Sequence, residues 1–192
     1  MNLELEFRLR AERTPNPQSI KWVVHPPLQA EGRSAYFRQA PRVEVSPLAA
    51  ALFSVEGILE VLLAAEFVTV TKSAEAEWPD LAEPVSAEIK AFATQGEPVF
   101  GPEAGVLDTP TDGNAEEDRT TAKIRAFLDK EIRPLVARDG GELLFVEFRE
   151  GVVHLALQGA CSGCPNSTQT LKFGIEERLK AAVPEVREVV AL

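Results

Sequence analysis

The alternation of apolar and polar residues over the first 93 positions predicts a small domain of strands and helices. Leu3, Leu5, Phe7 and Leu9 alternate with charged residues, which indicates a strand with one buried face. Ser46 followed by a proline predicts the start of a helix, since a serine side chain caps the first turn and proline fits its first position. Further strands are expected over residues 20–24, 58–63 and 67–72, and a second helix over residues 81–92. This succession predicts an α+β fold.

The pattern from residue 118 to residue 192 predicts a second small α+β domain, with elements in the order α-β-β-α-β. Apolar residues at helical spacing indicate a helix with a stripe over residues 124–132, which ends between Pro134 and the Asp139-Gly-Gly turn, and a second helix over residues 171–182. Two alternating segments, residues 143–149 and 152–157, flank Glu150-Gly151, which favours a hairpin with a two-residue turn. Residues 186–191 are expected to form the last strand.

The segment 94–117 separates the two domains and has neither helical nor strand periodicity. It contains four glycines, three prolines and six acidic residues, with no lysine or arginine. Like charges repel and few apolar residues are available for a core, so the segment is predicted to be a flexible acidic linker. The expected domains are therefore residues 1–93 and 118–192.

Composition and charge exclude several classes of protein. No run approaches the roughly 18 consecutive apolar residues of a membrane span, and the first residues resemble neither a secretion signal nor a transit peptide. The formal net charge is -10, which disfavours nucleic acid or an anionic membrane as a partner. No phosphate-binding glycine loop or Ser/His/Asp arrangement indicates an enzyme. We expect a cytoplasmic, non-enzymatic protein with no membrane and no nucleic-acid partner.

The candidate chemistry lies in Gly159-Ala-Cys-Ser-Gly-Cys-Pro-Asn-Ser, between a predicted strand and a predicted helix. Cys161 and Cys164 are the only cysteines of the chain. Two thiols separated by two residues bind one metal centre when the backbone between them turns tightly, and Gly163 favours such a turn. The start of the next helix places backbone N–H groups near the sulfurs, which favours the thiolate form that binds metals.

The number of cysteines indicates a metal centre shared by two chains. Zinc and the common iron-sulfur clusters prefer four ligands, often all cysteine, and this chain has two. Neither His25 nor His154 has a spacing that predicts a third ligand. A two-fold pair of chains, each contributing Cys161 and Cys164, is the simplest completion. Two other interpretations stay open: zinc at the same four cysteines, and a thiol-disulfide oxidoreductase with Cys161 as nucleophile and Cys164 as resolving thiol.

The sequences of both domains resemble one known family. The cysteine segment continues as Thr168-Gln-Thr-Leu-Lys-Phe-Gly-Ile-Glu-Glu-Arg-Leu, and together with Asp139-Gly-Gly it is similar to the C-terminal domain of NifU-like (Nfu) proteins. In the first domain, Thr14-Pro-Asn-Pro, Ser46-Pro-Leu-Ala and Phe67-Val-Thr-Val-Thr-Lys are similar to the N-terminal domain of the same family. The resemblance covers both domains in the family's order and omits the linker.

This resemblance implies an iron-sulfur cluster scaffold or carrier. It assigns Cys161 and Cys164 as ligands of a 4Fe-4S cluster, with 2Fe-2S as the other candidate, shared between the subunits of a loaded homodimer. The implied partners are a cluster donor and the apo iron-sulfur proteins that receive the cluster. No ligand transfers to the first domain, for which partner recognition is a hypothesis. There, Trp22 and Trp78 are expected to pack in or beside the core rather than to form a recognition surface.

Overall fold

The computed structural model describes residues 7–29, 34–96, 98–104, 119–162 and 165–192, with the backbone alone for residues 165–171. The chain divides into two compact units, residues 1–109 (unit 1) and residues 110–192 (unit 2). Within the described ranges, no helix combines the length and the apolar character that crossing a membrane requires.

Unit 1 is built on a five-stranded antiparallel sheet. Its strands are β1 (Arg8–Arg13), β2 (Ser19–His25), β3 (Ala35–Phe37), β4 (Ile58–Leu63) and β5 (Phe67–Lys72). The spatial order is β1-β2-β5-β4-β3, so β5 is central and all six of its residues are buried. The helices are α1 (Pro47–Phe53) and α2 (Trp78–Gln95). Trp22 and Val70 of the sheet share one buried cluster with Leu48 and Val85 of the helices.

The sequence pattern located most elements of unit 1. The strands predicted over residues 58–63 and 67–72 are confirmed, and residues 20–24 lie within β2. Ser46 caps α1 as predicted, because its Oγ accepts a hydrogen bond from the Ala49 N–H at 3.2 Å. Residues 3–6 of the first predicted strand lie outside the described residues, whereas Phe7 and Leu9 pack against the core. Strand β3 escaped prediction because three residues are too few to show alternation.

The structure differs from the sequence prediction at residue 94, where the acidic linker was expected to begin. Helix α2 continues through Gln95, and residues 98–104 pack against the rest of unit 1. Val99 is buried in its core, and the Gly101 N–H donates to the carbonyl of Val45 at 3.0 Å. A Cβ at Gly101 would lie 2.3 Å from the Glu44 carbonyl oxygen, so only glycine permits this approach. Composition alone did not predict this packing. The other residues of the expected linker, 97 and 105–117, lie outside the described residues.

Unit 2 has the predicted order α-β-β-α-β, which confirms the α+β class. Helices α3 (Arg119–Phe127) and α4 (Arg133–Arg138) are joined by a π-helical turn, Leu128–Ile132, and are followed by β6 (Gly141–Arg149), β7 (Val152–Gly159), α5 (Pro165–Ala182) and β8 (Glu188–Ala191). Strand β7 is central, antiparallel to β6 and parallel to β8. Glu150 and Gly151 both have positive φ angles, 53° and 82°, which confirms the two-residue hairpin turn.

One predicted helix of unit 2 consists of three segments instead. The sequence predicts continuous helix over residues 124–132, whereas the turn at Leu128–Ile132 has π geometry and the Arg133 N–H donates to the Leu128 carbonyl. Pro134 follows directly, and its missing N–H removes one regular helical hydrogen bond. The apolar stripe is nevertheless retained, because Ile124, Leu128 and Ile132 all point into the core.

Candidate metal centre

The cysteine segment begins at the end of β7, where the backbone reverses its direction. Gly159 has a φ of 66°, a conformation that favours glycine. The Ser162 N–H and Oγ both donate to the Gly159 carbonyl, at 3.0 and 2.8 Å. These bonds close a tight turn around Cys161. Gly163 and Cys164 lie outside the described residues, and α5 begins directly afterwards at Pro165.

Cys161 lies inside unit 2 rather than on its surface. The residue is 5% exposed and belongs to the buried apolar cluster that also contains Val136, Leu143 and Ile175. The Ala160 N–H donates to the Gly140 carbonyl at 3.1 Å, which ties the cysteine segment to the end of α4. The first predicted ligand is therefore held by packing and by backbone hydrogen bonds.

Gly141 provides the space that the Cys161 side chain occupies. A Cβ at position 141 would lie 2.5 Å from the Cys161 Sγ, 3.0 Å from Val136 Cγ1 and 3.1 Å from the Cys161 Cβ. Neighbouring Gly140 has a positive φ of 78°, which suits the end of a helix. The two glycines of Asp139-Gly-Gly thus have different functions: Gly140 turns the chain, and Gly141 accommodates the sulfur.

Sequence reasoning missed this function of Gly141. It interpreted Asp139-Gly-Gly as the end of a helix, and one glycine at Gly140 is sufficient for that end. The presence of a second glycine, Gly141, could therefore have indicated a close approach by another group. It begins β6, where glycine is unfavourable unless another group approaches closely. Its partner across the sheet is Gly159, at the start of the cysteine segment.

The carboxylate beside Gly141 is already paired. Glu142 accepts a hydrogen bond from the Leu143 N–H at 2.9 Å, and its Oε1 lies 3.5 Å from Nη1 of Arg133. Arg133 in turn contacts Asp129, with 2.8 Å between Nε and Oδ1. The negative charge of Glu142 is thereby compensated by groups away from the sulfur.

Helix α5, which follows the cysteine segment, is anchored to the sheet through Glu176. Its Oε1 lies 2.5 Å from the Lys180 ammonium, and its Oε2 accepts from the Val189 N–H of β8 at 3.0 Å. The hydrogen bond from Lys180, followed by that from Val189, lowers the pKa of Glu176. Ile175 and Leu179 complete the anchor by packing in the core.

Other candidate ligands lie elsewhere. His154 is on β7, paired with Glu147 and Val190, and His25 ends β2 in unit 1. In the part of the chain that the structure describes, no group of three or more histidine, cysteine or acidic residues could hold a metal ion. Of the predicted pair, Cys161 is described, whereas the geometry between Cys161 and Cys164 lies outside the described residues. The ligand assignment stays a prediction.

Two family models match the chain, one for each structural unit. The NifU-like domain matches residues 124–190, a range that includes Gly141, Cys161 and Cys164. The model described as the N terminal part of the scaffold protein Nfu/NifU matches residues 9–96.

Curated relatives extend the match across both units. The NFU1 iron-sulfur cluster scaffold homolog, mitochondrial, of Drosophila grimshawi is 36% identical over 181 residues, which cover 94% of this chain and 60% of the relative. The homolog of the same name in Drosophila erecta is 38% identical, over 94% of this chain and 63% of the relative. The chain therefore spans less than two thirds of the length of these relatives. A solution NMR structure of a NifU-like protein from Saccharomyces cerevisiae is 20% identical with a TM-score of 0.47, covering 54% of this chain and 92% of that chain.

Proposed function

The chain belongs to the NifU-like (Nfu) family of iron-sulfur cluster scaffold proteins, and from this premise we propose that it carries a cluster between two copies of itself. Cys161 and Cys164 of each copy bind the cluster, which is cargo rather than a permanent cofactor. The loaded homodimer accepts the cluster from a donor and delivers it to apo-proteins. In this function the chain is a carrier and not an enzyme. The curated relatives are named mitochondrial, and cytoplasmic residence stays a prediction for this chain.

The observation that carries this proposal is the number of sulfur ligands. The whole chain has two cysteines, whereas iron-sulfur clusters are commonly held by four cysteine thiolates. A two-fold symmetric pair supplies four ligands, two from one short segment of each chain. Separation of the pair removes half of the ligands at once, so dimer dissociation provides a route for cluster release.

The burial of Cys161 adds a mechanistic step to the proposal. A sulfur that is packed against Gly141 and Val136 has to turn outward, or its segment has to shift, before it can bind iron together with a second chain. Thiolate is the form that binds metal, and apolar surroundings disfavour it. The fold of unit 2 therefore shields the thiol, and cluster binding requires the thiol to reach the joint between two chains.

Anaerobic reconstitution with ferrous iron and sulfide tests the proposal. We expect a brown, dimeric species with about one cluster per two chains, since four thiolates complete the coordination of one cluster. Iron and sulfide assays, absorption spectra and native mass spectrometry give the stoichiometry, the cluster type and the mass. We expect 4Fe-4S, and the same data identify 2Fe-2S or zinc if either is present instead. A colourless monomer with a defined dithiol potential would favour the thiol-disulfide oxidoreductase, and a monomer with a complete cluster would contradict sharing.

Transfer requires a separate measurement. The loaded protein is mixed with an apo iron-sulfur enzyme, and the activity that the acceptor regains is followed together with the loss of cluster from the donor. We expect activity to return at a chelator concentration that prevents loading from free iron. If the chelator abolishes the recovery of acceptor activity, the iron passes through solution, and direct delivery of the cluster is contradicted.

The division into two units predicts that unit 2 loads without unit 1. A fragment containing residues 110–192 retains both cysteines, Gly141 and the complete core of unit 2. We expect it to bind about as much iron per chain as the full chain, because no proposed ligand is lost. Circular dichroism establishes that the fragment is folded, and iron and sulfide assays measure loading. A folded fragment that fails to load would assign unit 1 a necessary part in cluster assembly.

A further inference from the structure

A cleft in unit 1 lies far in sequence from the cysteine pair and is formed by a motif that the proposed function does not use. Its volume is about 450 Å³, within the range of roughly 300–1,000 Å³ that small-ligand clefts occupy. The motif Thr14-Pro-Asn-Pro forms one wall, between β1 and β2. The complete lining is Arg13, Thr14, Pro15, Asn16, Pro17, Ser19, Ile20 and Trp78.

The turn that forms this wall is fixed by its own hydrogen bonds. Thr14 Oγ1 donates to the carbonyls of Asn16 and Ser19, at distances of 2.9 and 3.0 Å. The side chain of Asn16, which is buried, accepts from the Gln18 N–H at 3.0 Å. The polar groups of the motif are thus used internally, and the two proline rings do not rearrange easily. A preformed wall of this kind reduces the entropy that a ligand loses on binding.

A buried lysine holds the turn against the rest of unit 1. Lys72 is 6% exposed, and its ammonium donates to Gln18 Oε1 at 2.8 Å and to the carbonyls of Ser73 and Ala76 at 3.2 and 2.6 Å. Burying a charge is costly unless its hydrogen bonds are satisfied, and here all three donors have acceptors. The Lys72 side chain therefore connects the motif to the segment that leads into α2.

The opposite wall is an indole ring held in one orientation. Trp78, half-buried at the start of α2, donates from Nε1 to the carbonyl of Pro17 at 3.1 Å. Behind it lies the fully buried Trp22, edge-on, with 5.7 Å between the ring centroids. The sequence prediction that both tryptophans pack in or beside the core is confirmed. The arrangement also leaves one side of Trp78 facing the cleft.

Arg13 is the charged residue of the lining. Its side chain is exposed, and among the residues that the structure describes its guanidinium has no hydrogen bond and no ion pair. Arg13 is also the last residue of β1, one of the two edge strands of the sheet as far as the structure describes it. An edge strand presents backbone N–H and C=O groups that another extended segment can pair with. Within the described ranges, the cleft thus combines a cation that has no ion pair, an aromatic wall and an adjacent strand edge.

We propose that this cleft binds an extended, acidic peptide segment of a protein partner. The segment pairs with the edge of β1, and one of its carboxylates contacts the Arg13 guanidinium while a neighbouring apolar side chain packs on Trp78. Arginine is suited to this contact because its planar fork matches a carboxylate in two hydrogen bonds. The strand edge favours a peptide over a free carboxylate, since pairing adds main-chain hydrogen bonds. The inference rests on unit 1 alone and does not depend on the cluster.

Peptide titration of the full chain tests the proposal. The probes are a fluorescein-labelled octapeptide of alternating glutamate and valine and the same peptide with glutamine in place of glutamate. Arg13→Gln is compared with Arg178→Gln, which removes the same charge from an exposed position of helix α5 in unit 2, outside the lining and away from the edge of β1. We expect Arg13→Gln to weaken binding of the glutamate peptide about tenfold, as loss of a charge-assisted hydrogen bond implies. Arg178→Gln is expected to have less than a twofold effect, because exposed charges outside the contact contribute little.

A second measurement locates the bound peptide. The chain has two indole N–H groups, and in heteronuclear NMR spectra the Trp78 signal is expected to shift more than that of the buried Trp22, which donates to Ser86. Equal weakening by both arginine substitutions would identify unspecific charge attraction and overturn the proposal. Equal binding of the glutamine peptide, or no binding of the glutamate peptide at millimolar concentration, would overturn it as well.

Discussion

Replacing either Cys161 or Cys164 by serine is expected to abolish stable cluster binding and leave the fold of both units intact. Each substitution removes two of the four proposed ligands from a dimer, because the same change occurs in both copies. Serine oxygen is a poor substitute for a thiolate toward iron in a cluster. We therefore expect iron and sulfide in the purified variants to fall close to background, in place of about one cluster per two chains.

The appropriate control keeps the cysteines and changes the histidine that belongs to the same unit. His154→Asn alters a residue of β7 in the same unit, and we expect its iron content to match that of the unchanged protein. Circular dichroism and thermal unfolding of all variants separate loss of ligands from loss of fold. Undiminished iron and sulfide in the folded Cys161→Ser or Cys164→Ser variant would remove that residue from the ligand set.

Gly141→Ala is expected to destabilise the protein and to expose the Cys161 thiol. The new Cβ would lie 2.5 Å from the sulfur, closer than packed atoms approach, so the sulfur has to rotate out of its place. Overpacking of this kind costs about 1–3 kcal/mol of unfolding free energy. Denaturant titration measures that loss. Alkylation with iodoacetamide, read at each cysteine by peptide mass spectrometry, is expected to become faster at Cys161.

Gly174 offers a matched control for this change. A Cβ at Gly174, in the middle of α5, meets no atom within 4 Å. Gly174→Ala is therefore expected to raise the unfolding free energy by about 0.5–1 kcal/mol, since alanine is the better helix former. The two glycine-to-alanine changes thus have opposite predicted signs. If Gly141→Ala leaves both the stability and the alkylation rate of Cys161 unchanged, the packing of sulfur on Gly141 does not determine its exposure.

The reconstituted cluster content of Gly141→Ala links the two predictions. Because the proposed loading requires the sulfur of Cys161 to turn outward, we expect Gly141→Ala to acquire cluster earlier in the reconstitution than the unchanged protein. Gly174→Ala is expected to load normally, because it leaves the surroundings of Cys161 as they are. The comparison is made at a temperature at which thermal unfolding shows both variants to be fully folded, so that a difference in loading reports on the thiol rather than on stability.

Local patterns were sufficient for most of the secondary structure and for the candidate ligands. Strands β4 and β5 follow from short apolar segments that contain β-branched residues, and the α1 cap follows from Ser46 and the proline after it. The hairpin turn at Glu150-Gly151 follows from two alternating segments that are separated by two residues, the second of them a glycine. These features depend on residues within a few positions along the chain, so the local sequence is sufficient to predict them.

By itself, the sequence determined that the chain forms two α+β domains and that two cysteines, three positions apart, are its available soft ligands. Only the tertiary structure decided that β8 lies parallel to β7, that residues 98–104 pack on unit 1, and that the sulfur of Cys161 occupies the space left by Gly141. Each of these features joins residues that are distant along the chain. Periodicity and composition report on neighbours, whereas the contact of Gly141 with Cys161 exists only after β6 and β7 have paired.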